Sequence, residues 1–211
     1  RPKARHAGDE AKKVSPATEV RYFDGPVQDL PLEELVDLSA VVLATVKLAA
    51  ELAVSELCLR LGLPLYHAAV HGSTLVAQVR ALVNDPALDG AGPCLACGFV
   101  EADWLALDRG TVFSCAGDDG DDGRGAAPEP AAAPTVSPSY LCTQAAILAV
   151  NEFLLRTADG RPARDVQLEL CCFNRATCES RLARRPDCPA DHAAWRVERT
   201  SRAAPAAAPP G

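Results

Sequence analysis

Apolar and polar positions change period several times along the chain, and each change marks an element. The first 19 residues are polar and charged, and Lys3 to Lys13 predict a short exposed helix before Pro16. "EVRYFDG" (Glu19–Gly25) predicts a strand ended by Gly-Pro. "AVVLAT" (Ala40–Thr45) is a continuous apolar run, the pattern of a parallel strand covered on both faces. From Lys47 to Leu61 the period becomes helical. Ala50, Val54, Leu57 and Leu61 make one apolar stripe, while Lys47 with Glu51 and Glu56 with Arg60 are i,i+4 pairs for the solvated side. Gly62 and Pro64 predict its end. "PLYHAAV" and "TLVAQVRAL" then read as strands. Strand, helix, strand in this order is a βαβ unit and calls for a parallel sheet.

The second half is more uneven. Residues 116–137 are acidic and rich in Gly, Pro and Ala, too polar to bury a core, and predict a flexible crossover loop. Ser137-Pro138 starts a helix, with Ser as N-cap and Pro at the first helical position. Up to Thr157 that helix is apolar almost all round, so it is expected to be buried. "VQLELCCF" alternates Val166, Leu168 and Leu170 with Gln167 and Glu169, a strand with one wet face. The expected organisation is one α/β domain over residues 1–195, with a mostly parallel Rossmann-like sheet and flanking helices. Residues 196–211, ending "RAAPAAAPPG", are expected to be a disordered tail. There is no internal repeat.

Composition narrows the function classes. The 211 residues can bury a real core, and with 48% apolar but only 5% aromatic residues that core must be Leu, Val and Ala. A net charge of −7 without a basic block argues against nucleic acid and against an anionic membrane surface. No apolar stretch approaches the roughly 20 residues of a membrane span, and the first residues lack a signal-peptide core. The nine cysteines show no disulfide-framework spacing, so a cytoplasmic location is expected. The absence of Met, even at position 1, implies a chain that was processed or begins inside a longer reading frame.

The chemistry concentrates in two chelating pairs. Cys94 and Cys97 form Cys-x-x-Cys in "GPCLACGF", and Cys188 is followed four positions later by His192 in "RRPDCPADH". Two such pairs can make a split tetrahedral site that ties distant segments together. Zinc suits it, taking thiolate and imidazole without redox chemistry. Buried or free thiols and a disulfide are the alternatives. Cys178 is a reserve ligand. Cys58, Cys142, Cys171 and Cys172 lie in apolar runs and are expected in the core. His67 and His71 share a strand face without a third ligand and read as ordinary polar residues.

Taken together, "RPKA", "VVLAT" with its helix, "GLPLYHAAV", "GPCLACGF", the acidic loop, "SYLCTQAAILAVNEFLL" and "RRPDCP" resemble the ThiF/MoeB/HesA superfamily, over roughly residues 1–192. Ubiquitin-activating enzymes belong to it. The resemblance implies dimeric α/β enzymes that use Mg-ATP to adenylate the C-terminus of a ubiquitin-like or sulfur-carrier protein, or of a peptide. It also implies a split structural zinc site at the cysteines named above. The usual second Cys-x-x-Cys is altered here: Asp191 takes the fourth position, and His192 is the preferred ligand because imidazole binds zinc better than a lone carboxylate. Lys3 matches the family's phosphate-contacting Lys. The family's Gly-rich phosphate turn precedes the matched region, so the domain is expected to be N-terminally incomplete.

Two positions depart further. An ungapped match on Pro64 puts Val46 at the family's magnesium-binding Asp, Lys47 at the neighbouring polar residue and Glu51 at its Arg. Valine cannot ligate Mg²⁺, so this chain alone is not expected to adenylate anything. Cys115 lies where relatives carry a thioester- or persulfide-forming cysteine, but four aspartates follow it within seven residues and oppose a thiolate. Two functions therefore stand. One is an adenylyltransferase module whose ATP contacts are completed elsewhere. The other is a non-catalytic, zinc-stabilised relative that binds a partner protein. Pairing with a second copy or with an active relative fits either.

Overall fold

A computed structural model describes residues 2–45, 47–84, 92–108, 137–158, 164–190 and 192. Contacts divide the chain into two compact units, residues 1–37 and 38–211. The first unit holds α1 (Lys3–Val14), a 3₁₀ turn at Val27–Asp29 and the one-turn α2 (Glu33–Val36). The strand expected at Glu19–Gly25 does not form. Its residues are mostly exposed, and Tyr22 packs on Gly8 of α1 in place of a sheet partner, about where a Cβ at position 8 would make a 3.3 Å contact.

The second unit is a mixed α/β layer. Five strands lie in the order β1-β2-β3-β4-β5: Val41–Leu43, Leu65–His71, Val76–Leu82, Val166–Cys171 and Ala176–Arg181. β1 and β2 run parallel, joined by α3 (Leu48–Leu61) as the βαβ pattern requires. Parallel pairing stops there. β3, β4 and β5 are antiparallel to their neighbours, so the sheet is mostly antiparallel where a mostly parallel one was expected. For two of the three antiparallel pairs, β2 with β3 and β4 with β5, the reason is connection length. Four residues, Gly72–Leu75, separate β2 from β3, and another four, Cys172–Arg175, separate β4 from β5, whereas a parallel crossover needs a dozen or more. Leu75 and Arg175 close these hairpins with positive φ, 54° and 58°.

α3 ends as its sequence requires. Gly62 adopts φ 58°, and its N–H and that of Leu63 return to carbonyls of the last turn. α4 (Glu101–Asp108) follows a 3₁₀ turn at Leu95–Gly98. The long α5 (Ser139–Ala158) lies across β2 and β3. Its first carbonyl acceptor is Pro138, one residue beyond the expected cap. Leu141, Ala145 and Ala149 are buried against Ala77, Val79, Ala81 and Val166, and Tyr66 meets Phe153 edge-on at 5.9 Å. Among the described residues one side of α5 is covered and the other is exposed, which corrects the expectation of a fully buried helix. Among the described residues no helix is long and apolar enough to cross a membrane.

Leu141 is fully buried between α5 and the sheet. Truncating it leaves a cavity on top of the lost transfer energy, so Leu141→Ala is expected to cost about 3 kcal/mol in urea unfolding.

Candidate metal centre and the charged layer beneath it

The structure brings Cys94, Cys97, Cys188 and His192 together, with all ligand atoms within 4.8 Å of one another. Cys94 precedes the Leu95–Gly98 turn, whose first bond runs from the Cys97 N–H to the Cys94 carbonyl at 3.1 Å. That turn presents both sulfurs to one side. It is fastened to α3, since the Leu95 N–H donates to Ser55 Oγ at 3.1 Å. The second pair arrives after β5. Arg185 forks onto Asp187 (3.0 and 2.7 Å) and donates to the Phe99 carbonyl at 2.8 Å, and the Cys188 N–H returns to the Arg185 carbonyl. Leu52, Leu59, Trp104 and Ala190 cover the cluster. A cavity of about 350 Å³ opens beside Cys94, between Leu52, Glu56, Trp104 and Pro189.

The distances test whether a metal fits. The Cys94 sulfur lies 3.8 Å from that of Cys97 and 3.7 Å from that of Cys188. His192 Nε2 lies 3.5 Å from the Cys94 sulfur and 3.7 Å from the Cys97 sulfur. A tetrahedral ion with ordinary zinc bond lengths needs edges of about 3.8 Å between sulfurs and about 3.6 Å from sulfur to nitrogen. Each of those four separations lies close to such an edge. All four positions would be filled by protein, so a bound ion supplies a cross-link and no open position for chemistry.

Charge in the cluster points the same way. The Cys97 thiol is pulled down to about 4, first by the hydrogen bond from the Cys94 side chain and further by backbone N–H groups. Cys94 is pushed up, first by that same bond and then by burial, and Cys188 is pushed up chiefly by burial. One thiolate is thus favoured in the cluster, and a cation that admits the other two must displace their protons.

The remaining sequence candidates separate. Cys178 is exposed on β5 and lies outside the cluster. Cys58 is buried, and burial pushes its thiol up to about 12, as for a core residue. Cys142 is exposed and Cys171 and Cys172 half-buried, so those three are not core as expected. Lys3 is the exposed first residue of α1, in the unit of residues 1–37. Cys115, Val46, Asp191 and the 116–136 part of the crossover loop lie outside the described residues.

Sequence reasoning missed a charged layer on the sheet face opposite α5. Register sets His67 of β2, Arg80 of β3 and Gln167 of β4 side by side, with Gln78 beside Glu169. Arg80 Nε donates to Gln167 Oε1 at 2.8 Å, while Gln78 and Gln167 both donate to Glu169 Oε1, at 2.8 and 2.7 Å. Glu51, expected on the wet side of α3, is instead buried with an oxygen 3.3 Å from His67 Nε2. The approach is off the line of a hydrogen bond. Burial draws Arg80 below its ordinary value, and Asp103, Glu51 and Glu169 oppose that. The Arg80 guanidinium also lies directly under Gly98, where a Cβ would come within 3.0 Å of it. The glycine after Cys97 therefore seats the metal turn on the charged layer. Alternation of Gln78, Arg80, Gln167 and Glu169 was the available signal.

No family model and no curated protein matches the sequence. Solved structures do. The chain is similar to E. coli MccB with ATP (13% identity, TM-score 0.55, 90% of this chain and 50% of that one). It is similar to E. coli MccB with AMPCPP and MccA (14%, 0.54, 89% and 50%). It is also similar to the microcin C7 biosynthetic enzyme MccB in complex with N-formylated MccA (13%, 0.53, 90% and 52%). At this identity the likeness is one of fold, and the chain spans about half the length of those structures.

Two outcomes follow. Metal analysis is expected to find about one thiolate-binding divalent ion per chain, and at least a roughly tenfold loss in Cys97→Ser. Arg80→Met leaves Glu51, Asp103 and Glu169 facing one another without their cation, so a loss of about 3 kcal/mol is expected in urea unfolding.

Proposed function

We propose that this chain is a ThiF/MoeB/HesA-type adenylyltransferase module with a structural zinc held by Cys94, Cys97, Cys188 and His192. The observation that carries the reading is the tetrahedral Cys₃His cluster, which ties the segment before α4 to the segment after β5 in a fold shared with MccB. MccB has been solved with ATP and with MccA, so a peptide C-terminus, or that of a ubiquitin-like or sulfur-carrier protein, is the acceptor proposed here. Lys3 would meet the nucleotide phosphates. Cys115 would serve only if a thioester or persulfide step follows.

On this reading the chain does not adenylate alone. The ungapped match sets Val46 at the family's magnesium-binding carboxylate, and valine offers the metal no oxygen. An inner-sphere carboxylate opposite a triphosphate contributes several kcal/mol, so roughly a thousandfold in rate is at stake. Nucleotide contacts completed by other residues, or pairing with a second copy or an active relative, would supply the remainder.

One observation favours a second reading, a non-catalytic module that binds a partner protein. Glu51, matched to the family's Arg, is buried against His67 in a layer that already holds Arg80. The sign of charge there is inverted and locked in by packing. It is not a surface substitution that could be reversed without cost.

ATP–pyrophosphate exchange and calorimetric titration of Mg-ATP test both. The expected result is exchange at the buffer level and no magnesium-dependent binding by the unaltered chain, with weak binding appearing in Val46→Asp. Tight, magnesium-dependent binding with Val46 intact would sink the assignment of that position.

A further inference from the structure

We infer that the cavity beside Cys94 is a docking site for one arginine side chain of a partner peptide. Three segments besides the one carrying Pro189 wall it: α3 contributes Leu52 and Glu56, the Leu95–Gly98 turn Ala96, and α4 Trp104. Its volume of about 350 Å³ lies at the small end of ligand pockets, roughly 300–1,000 Å³, and suits one long side chain better than a whole cofactor. Glu56 and Pro189, both exposed, stand at its rim, while Cys94 and Ala96, both buried, lie at its base.

The chemistry of the walls selects the occupant. Among the described residues Glu56 is the only acidic side chain on them, and no basic one lines the cavity. Arg60, one turn further along α3, is not part of the wall. The helix that supplies Trp104 carries Glu101, Asp103 and Asp108 and no cation, and the chain as a whole has a net charge of −7. An anion is therefore repelled, and a purely apolar group would strip water from the Glu56 carboxylate without replacing it. A cation on an apolar stem meets both demands, with its methylenes along Leu52 and Pro189 and its head at Glu56. Trp104 favours a guanidinium over an ammonium. Phe99 braces its ring at 5.5 Å, and an indole binds the planar, weakly hydrated guanidinium by stacking as well as by cation–π attraction. The open rim leaves the peptide backbone in solvent, so a single side chain enters.

The inference goes beyond the proposed function and does not rest on it, since its experiment reads no nucleotide chemistry. The chain holds two tryptophans, Trp104 and Trp195, whose indole N–H resonances are told apart by Trp104→Phe. The isotope-labelled full chain is titrated with an N-acetylated, C-amidated Gly-Arg-Gly peptide. The Trp104 resonance is expected to shift saturably, with a dissociation constant on the order of a millimolar for so small a probe. The matching Gly-Leu-Gly and Gly-Glu-Gly peptides are expected to leave it in place. Glu56→Gln, a change at an exposed side chain, is expected to keep the spectrum of the folded chain and to bind the arginine peptide roughly fivefold more weakly. Glu56→Lys is expected to abolish the shift. No saturable movement of Trp104 overturns the inference, including the case in which an arginine of this chain beyond His192, such as Arg196, already fills the cavity. Equal shifts with the leucine peptide overturn it too, as does undiminished binding by Glu56→Gln.

Discussion

The Cys94/Cys97 turn meeting Cys188 and His192 is the contact on which the second unit depends. It joins residues 94 positions apart in sequence, and it closes a circuit running through α4, α5, β4 and β5. Few hydrophobic groups reinforce that closure, since β5 is exposed along its whole length and residues 183–187 are mostly exposed. A metal held there would join these two distant segments where a larger protein uses buried surface.

The second constraint is the division of the sheet into a dry and a charged face. On one side Tyr66, Val79, Ala81 and Val166 take α5 by apolar packing, with Arg156 of the helix over the Tyr66 ring. On the other, His67, Arg80, Gln78, Gln167 and Glu169 must satisfy one another, and Glu51 reaches them from α3. Replacing any member strands its neighbours, because buried charge without a partner costs more than an unfilled apolar contact. The Cys94–Cys97 turn rests on this layer through Gly98 over Arg80, so the turn and the charge network pack as one piece.

Much of this could be read from the residues. The βαβ unit, the extent of α3, both strands of the first hairpin, β4 and the meeting of Cys94, Cys97, Cys188 and His192 follow from period, capping glycine and chelating spacing. What escaped depends on pairing. An apolar run does not say which neighbour it joins, so the antiparallel majority of the sheet became visible only through the two four-residue turns. Glu51 at i+4 from Lys47 looks like a solvated pair until β2 places His67 opposite it. The helix after Pro138 is apolar all round, and composition cannot distinguish a face covered by its own sheet from a face left open.

The two halves of the metal cluster are not equally held. Cys94 and Cys97 are buried, with their turn hung from Ser55 of α3, whereas Cys188 is half-buried on a segment secured mainly by Arg185. Of the four side chains Cys188 is the one nearest solvent, while His192 is buried with the upstream pair, like a clasp whose hinge lies in α3 and whose catch is Cys188. A chelator competing for an ion bound there would approach past Cys188, while the two upstream sulfurs stay held by their turn.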